Sequence, residues 1–177
     1  MADPGPEVSP AARRQMWLEL FEKEFPKTLR VMRAYPGGTE EFKPHERSQT
    51  ALRLVHTFSR ENTMILRTVK GTAAGAGGSP EPPPTYGEAV EAYERSGREA
   101  MEAVRSAPED RLSAMVPFGP PALKLEFQAV ELLWLMLLDS IHHRGQLSVY
   151  VRMAGGKVPS IYGPSADDPM IAPPRGA

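Results

Sequence analysis

Asp139-Ser140-Ile141-His142-His143-Arg144-Gly145-Gln146 holds three groups able to bind a metal within about one helical turn. Asp139 and His143 are four positions apart, so on a helix they point the same way, roughly 40° apart around the axis. His142 is turned roughly 100° from His143 and is poorly placed for the same centre. A carboxylate and an imidazole on one helical face supply two thirds of a facial divalent-metal site. The third ligand must come from another part of the chain.

The chain has four histidines, at 45, 56, 142 and 143. His45 follows Pro44 in a polar connection and reads as exposed. His56 lies between Val55 and Phe58 and faces the core or its edge. One reading is a core histidine whose ring nitrogens bond a carbonyl or carboxylate. The other is a metal ligand, and the pair at 139 and 143 on a facing helix makes it the preferred one. The expected metal site is therefore His56, Asp139 and His143. Asp139 itself ends the apolar run Leu132–Leu138, where a buried carboxylate needs a cation; an ion pair with Arg144 would be the structural alternative. Gly145 reads as a point of close approach by another helix, since glycine inside a helix costs about 1 kcal/mol against alanine. Gln146, on the same face, is expected to hydrogen-bond the ligands. Tyr150 and Arg152 are expected to pin the C-terminal loop, with Ile161 and Tyr162 as its anchors.

These residues need helices to hold them. Ser9-Pro10 is an N-terminal capping pattern. Apolar residues from Met16 to Met32 recur every three or four positions, with Pro26 expected to kink or break the helix. A second helix is predicted from about Ser48 to Lys70, closed by Gly71. Residues 71–84 read as a flexible, then polyproline linker, long enough for a crossover between non-adjacent helices. Thr85 and Glu88 form a capping box that opens a third helix reaching about Ser106. Residues 108–121 read as a loop bearing the apolar patch Met115–Phe118. A fourth helix is predicted from about Pro121 to Ala154, apolar on all sides between Val130 and Leu138, which implies burial against a second subunit as well as its own chain. No alternating strand pattern stands out. The expectation is one all-α domain, a four-helix bundle with a C-terminal loop, its ends (1–9 and 169–177) flexible.

Composition excludes several classes. The 177 residues carry a net charge of −1, with 41% apolar and 24% charged residues and no cysteine. Basic residues do not cluster, which argues against nucleic-acid binding. Without cysteine there are no disulfides, thiolate metal sites or thiol nucleophiles. No apolar run approaches the ~20 residues that span a bilayer, and the N-terminus lacks a signal-peptide pattern, so a cytoplasmic protein without membrane or nucleic-acid partners is expected.

His-His-Arg-Gly-Gln-Leu-Ser-Val-Tyr-Val-Arg at 142–152, followed by Gly-Gly-Lys-Val-Pro-Ser-Ile-Tyr-Gly-Pro-Ser-Ala-Asp at 155–167, resembles the DinB/YfiT-like superfamily of metalloenzymes. Phe25-Pro26-Lys27-Thr28-Leu29 and a histidine in the second helix fit the same pattern, so the resemblance spans residues 12–168. It implies a four-helix bundle in a mirror variant of up-and-down topology, often a homodimer and associated with stress responses. It implies a site of three histidines, one on helix two and two on helix four. Carried over, these fall on His56, on His143 and on position 139, where this chain has Asp139. Two histidines and a carboxylate still make a competent set for zinc, nickel, iron or manganese. Some relatives resemble S-transferases that use a low-molecular-weight thiol. The functional expectation is a metal-dependent transferase or hydrolase; the alternative is a non-catalytic dimer or small-ligand-binding protein whose polar cluster is structural.

Overall fold

The computed structural model describes residues 8–72 and 81–169. Most of the predicted 71–84 linker and nearly all of the two predicted flexible ends lie outside the described residues. The chain is mostly helical. Four long helices, α1 (Pro10–Arg33), α2 (Ala51–Lys70), α3 (Tyr86–Ser106) and α5 (Ala129–Met153), are joined by a short α4 (Glu109–Ser113) and two strands, β1 (Met115–Phe118) and β2 (Leu125–Gln128). Each long helix packs on two others, in the order α1, α3, α2, α5 and back to α1. Sequence neighbours α1 and α2 are thus not packing neighbours. No described helix is long and apolar enough to cross a membrane.

The helix ends follow local chemistry. Ser9 accepts from the Ala12 amide and Pro10 opens α1. The helix continues through Pro26 as one element, so of the expected kink or break the break does not occur. Thr50 caps α2, so this helix starts at Ala51 and not at Ser48. Gly71 closes it in the left-handed region at φ 73°. Thr85 and Glu88 complete the capping box of α3 in both directions.

The predicted start of the last helix is corrected. Residues 121–123 form a 3-10 turn, and 125–128 pair antiparallel with 115–118, Met115 opposite Gln128 and Phe118 opposite Leu125. Gly119 at φ 77° and the two prolines after it turn the chain back on itself. The strands pack through Val116 against Ala129 and Leu132, an apolar cluster of their own.

Two larger apolar clusters divide the interior. One holds Trp17, Phe21, Ile65, Ala100, Leu112, Leu133 and Met136. The other holds Met32, Leu54, Val55, Phe58, Tyr86, Tyr93, Leu147 and Val151. Phe25 borders both, and Gly97 on α3 gives it room: a β-carbon there would stand 2.2 Å from the Phe25 ring.

Arg144 is 1% exposed and is the most deeply set charge of α5. It does not pair with Asp139, the alternative raised by the sequence. Its Nη2 donates to Glu24 Oε2 at 2.5 Å, and Nη1 donates to Thr28 Oγ1 and to the Glu24 carbonyl, both at 3.3 Å. Tyr162 Oη closes the cluster by donating to Glu24 Oε2 at 2.6 Å, so the C-terminal loop is tied to α1 and α5 at one buried point. Lys27 caps the other Glu24 oxygen at 2.7 Å. Further along, Arg152 binds Asp167 at 2.8 Å, as expected of a loop anchor. Tyr150 instead ties α5 to the entry of α2, by donating to the Gln49 carbonyl.

Burial works against an ionised Glu24, but hydrogen bonds from Lys27, Tyr162 and Arg144 outweigh it and hold its carboxyl below the usual range. A carboxylate depressed in the folded state contributes stability above its unfolded pKa, and the contribution is lost as pH falls through the folded value. Thermal unfolding followed from neutral pH into acid should therefore show a drop in Tm below about pH 4.5 that Glu24→Gln flattens. The same variant should lose stability at neutral pH, by about 3–5 kcal/mol, because Arg144 is left buried without its counter-charge. A variant with the wild-type acid slope would contradict this account.

Candidate metal centre

The site lies across the packed faces of α2 and α5. Glu61 on α2 meets Asp139 and His143 on α5, each offering one ligand atom, and the three atoms lie within 4.8 Å of one another. His143 Nδ1 is 2.6 Å from Glu61 Oε1 and 3.9 Å from Asp139 Oδ2. Of the three expected ligands, the structure brings Asp139 and His143 together through their i, i+4 spacing. His56 is not in the group. It sits five residues before Glu61 on α2, about 7.5 Å along the axis and roughly 140° around it, with Nδ1 3.3 Å from Ser59 Oγ.

Glu61 is the residue that sequence reasoning missed. It stands in Ser59-Arg60-Glu61-Asn62, where a single glutamate among polar neighbours reads as part of a solvated face. Its register gives it away: Glu61 is three residues past Phe58 and four before Ile65, on the stripe that faces the core.

Burial divides the three unequally. The Glu61 side chain is 2% exposed, that of His143 15% and that of Asp139 43%. The buried carboxylate in need of a partner is thus Glu61 and not Asp139, which is partly open to solvent. Glu61 Oε2 is buried and makes no hydrogen bond. Such an oxygen costs free energy, about 1–3 kcal/mol for a buried acceptor and more when charged. Burial pushes the Glu61 carboxyl up, and the His143 bond and charge only partly offset it, leaving a pKa of about 7. For His143, burial works downward, but the hydrogen bond and charge of Glu61 together with Asp139 carry its pKa above the ordinary value. Each group is half of a proton-sharing pair. A cation placed between them would replace that proton.

The surroundings hold the pair in place. Phe58 packs in T-shaped fashion on the His143 ring, with centroids 6.0 Å apart, and on Tyr93, with centroids 5.7 Å apart. The other expected helpers are elsewhere. Gln146 is exposed and bonds His142 Nε2 at 3.0 Å, so it serves its own face of α5 and not the site. Gly145 has nothing within 4 Å of a built β-carbon, so no described element approaches it closely. His45 is exposed and accepts from the Arg47 amide.

The donor set fits a divalent ion: two carboxylates and an imidazole with one oxygen lacking any partner. Comparison with known proteins agrees in fold. A model of the DinB family matches residues 17–175. A DinB-like protein from Bacillus cereus ATCC 10987 superposes with a TM-score of 0.69 at 20% identity, covering 82% of this chain and 95% of its own. The DinB-like protein YjoA from Bacillus subtilis gives 0.64 at 19% identity, covering 79% and 92%. Among curated proteins, none matches.

Proposed function

The chain belongs to the DinB family, and from that premise we propose that it binds one divalent metal ion through Glu61, Asp139 and His143 and uses it in catalysis. The observation that carries the reading is the unpartnered Glu61 Oε2, on a carboxylate buried beside an imidazole and a second carboxylate. Three protein ligands leave coordination positions for a substrate or water. When bound, such an ion acts as a Lewis acid and lowers the pKa of a coordinated water or thiol. The chain has no thiol, so a transferase reaction would draw on a small thiol as cosubstrate and a hydrolase reaction on water. Asp139, 43% exposed, is the side from which either would arrive. Glu61 keeps the imidazole of His143 oriented, and Phe58 shields the inner side of its ring.

A second reading is a non-catalytic protein in which the 2.6 Å Glu61–His143 contact is only a structural tie. Metal content separates the two. Protein purified without chelator should carry close to one divalent ion per chain by elemental analysis. Glu61→Ala, Asp139→Ala and His143→Ala should each lose most of it. His56→Ala should retain it on the present reading and lose it if His56 is a ligand. Wild-type protein that takes up no ion under any loading condition would leave the structural tie as the account.

We also propose a homodimer built on α5. Leu135, Leu138, Val149 and Met153 are exposed at 39–57%, and their successive spacings of three, eleven and four residues keep them on one face of the helix, with the open Gly145 between them. Two copies of this stripe set antiparallel about a two-fold axis would place Leu138 of one beside Val149 of the other, with Gly145 allowing close approach. Light scattering at micromolar concentration should give twice the chain mass for wild type and the single-chain mass for Leu138→Glu. A monomeric wild type would rule this interface out.

A further inference from the structure

Accepting the site just proposed, we infer that Glu61 and Asp139 make it a charge-compensated, oxygen-rich centre tuned toward hard divalent ions of the Mn²⁺ class, with Asp139 as the residue that sets the balance against Zn²⁺. The argument rests on donor chemistry and on charge.

Two of the three donor groups are carboxylates and one is an imidazole. Carboxylate oxygen suits manganese and magnesium, whereas imidazole nitrogen suits zinc, nickel and copper. Any such site still binds zinc more tightly than manganese in absolute terms, by the general order of divalent affinities. What the donors control is the size of that gap. Each exchange of imidazole for carboxylate narrows it.

Charge points the same way. Arg144, the buried cation of α5, is consumed by Glu24 and faces α1, away from this centre. The positive group in direct contact with Glu61 and Asp139 is a protonated His143. A divalent ion binds the neutral imidazole, so its two charges would be met by those of Glu61 and Asp139. The complex is then neutral overall, which limits the cost of holding it where Glu61 is 1% exposed. A centre of three imidazoles in the same place would keep a net charge of two and would demand an anionic fourth ligand.

Asp139 is the position at which to test this. Its side chain is 43% exposed, so histidine fits there without repacking the core, and the i, i+4 relation to His143 places the new ring on the same face. The measurement is equilibrium competition against a chromophoric chelator, at fixed pH and ionic strength, for Mn²⁺ and Zn²⁺ with the full chain. The ratio of the two affinities should move toward zinc by at least about tenfold in Asp139→His, because one hard anionic donor is replaced by a softer neutral one. Asp139→Asn, which keeps the shape and removes the charge, should move the same ratio toward zinc as well and gives the answer if the histidine variant does not fold by circular dichroism. Ions that bind wild type and both variants with an unchanged ratio would overturn the selectivity inference while leaving the metal site intact. A wild type that binds neither ion would instead overturn the site itself, and the inference with it.

Discussion

The contact that organises this molecule is the one between Glu61 and His143 across the packed faces of α2 and α5. A carboxylate at 1% exposure is held 2.6 Å from an imidazole, with one of its oxygens left without a partner. Neither group could stand alone at that depth. Burial pushes the glutamate toward its neutral form and works against a charged histidine, and their contact opposes both effects. Together they share a hydrogen bond, whose proton a bound cation would replace on the proposed reading. Asp139, a turn away on α5, adds the negative charge that a divalent ion needs and a proton does not.

The rest of the fold reads as the means of fixing that contact. The helices are ordered so that α5 lies between α1 and α2. On the α1 side, Arg144 locks onto Glu24 and Thr28, and Tyr162 brings the C-terminal loop to the same point. On the α2 side, the very next residue before Arg144 faces Glu61. Adjacent residues on one helix, roughly 100° apart around its axis, thus hold two buried polar clusters against two different neighbours, and the rotation of α5 is set by both. Two buried carboxylates follow opposite courses as a result. Glu24, met by a guanidinium, an ammonium and a phenol, is driven toward its charged form; Glu61, whose burial outweighs its contacts with His143 and Ser140, is driven toward its neutral one.

Much of this was legible in the residues. The caps at Ser9, Thr85 and Gly71 marked helix ends because their side chains or backbone freedom satisfy terminal groups locally, without reference to the fold. The pairing of Asp139 with His143 was legible for the same reason, being a property of one helix. What could not be read was long-range. The strands at 115–118 and 125–128 escaped because each is short and gains its stability from the other and from Leu132, while Leu125 and Phe127 blend into the apolar run that follows. The partner of Arg144 lies 120 residues away in sequence, which spacing along α5 does not reveal. His56 drew attention and Glu61 did not, because residue type outweighed register. A histidine looks like a ligand and a glutamate looks like surface, yet the core-facing stripe of α2 passes through the glutamate.

The most direct test of the account is the ligand shell of a bound ion, seen by X-ray absorption at the metal edge and by anomalous diffraction from crystals of the loaded protein. The account predicts one nitrogen, from His143, and carboxylate oxygens from Glu61 and Asp139 around the same ion. A shell with two imidazole nitrogens, His56 supplying the second and Glu61 remaining outside it, would contradict it.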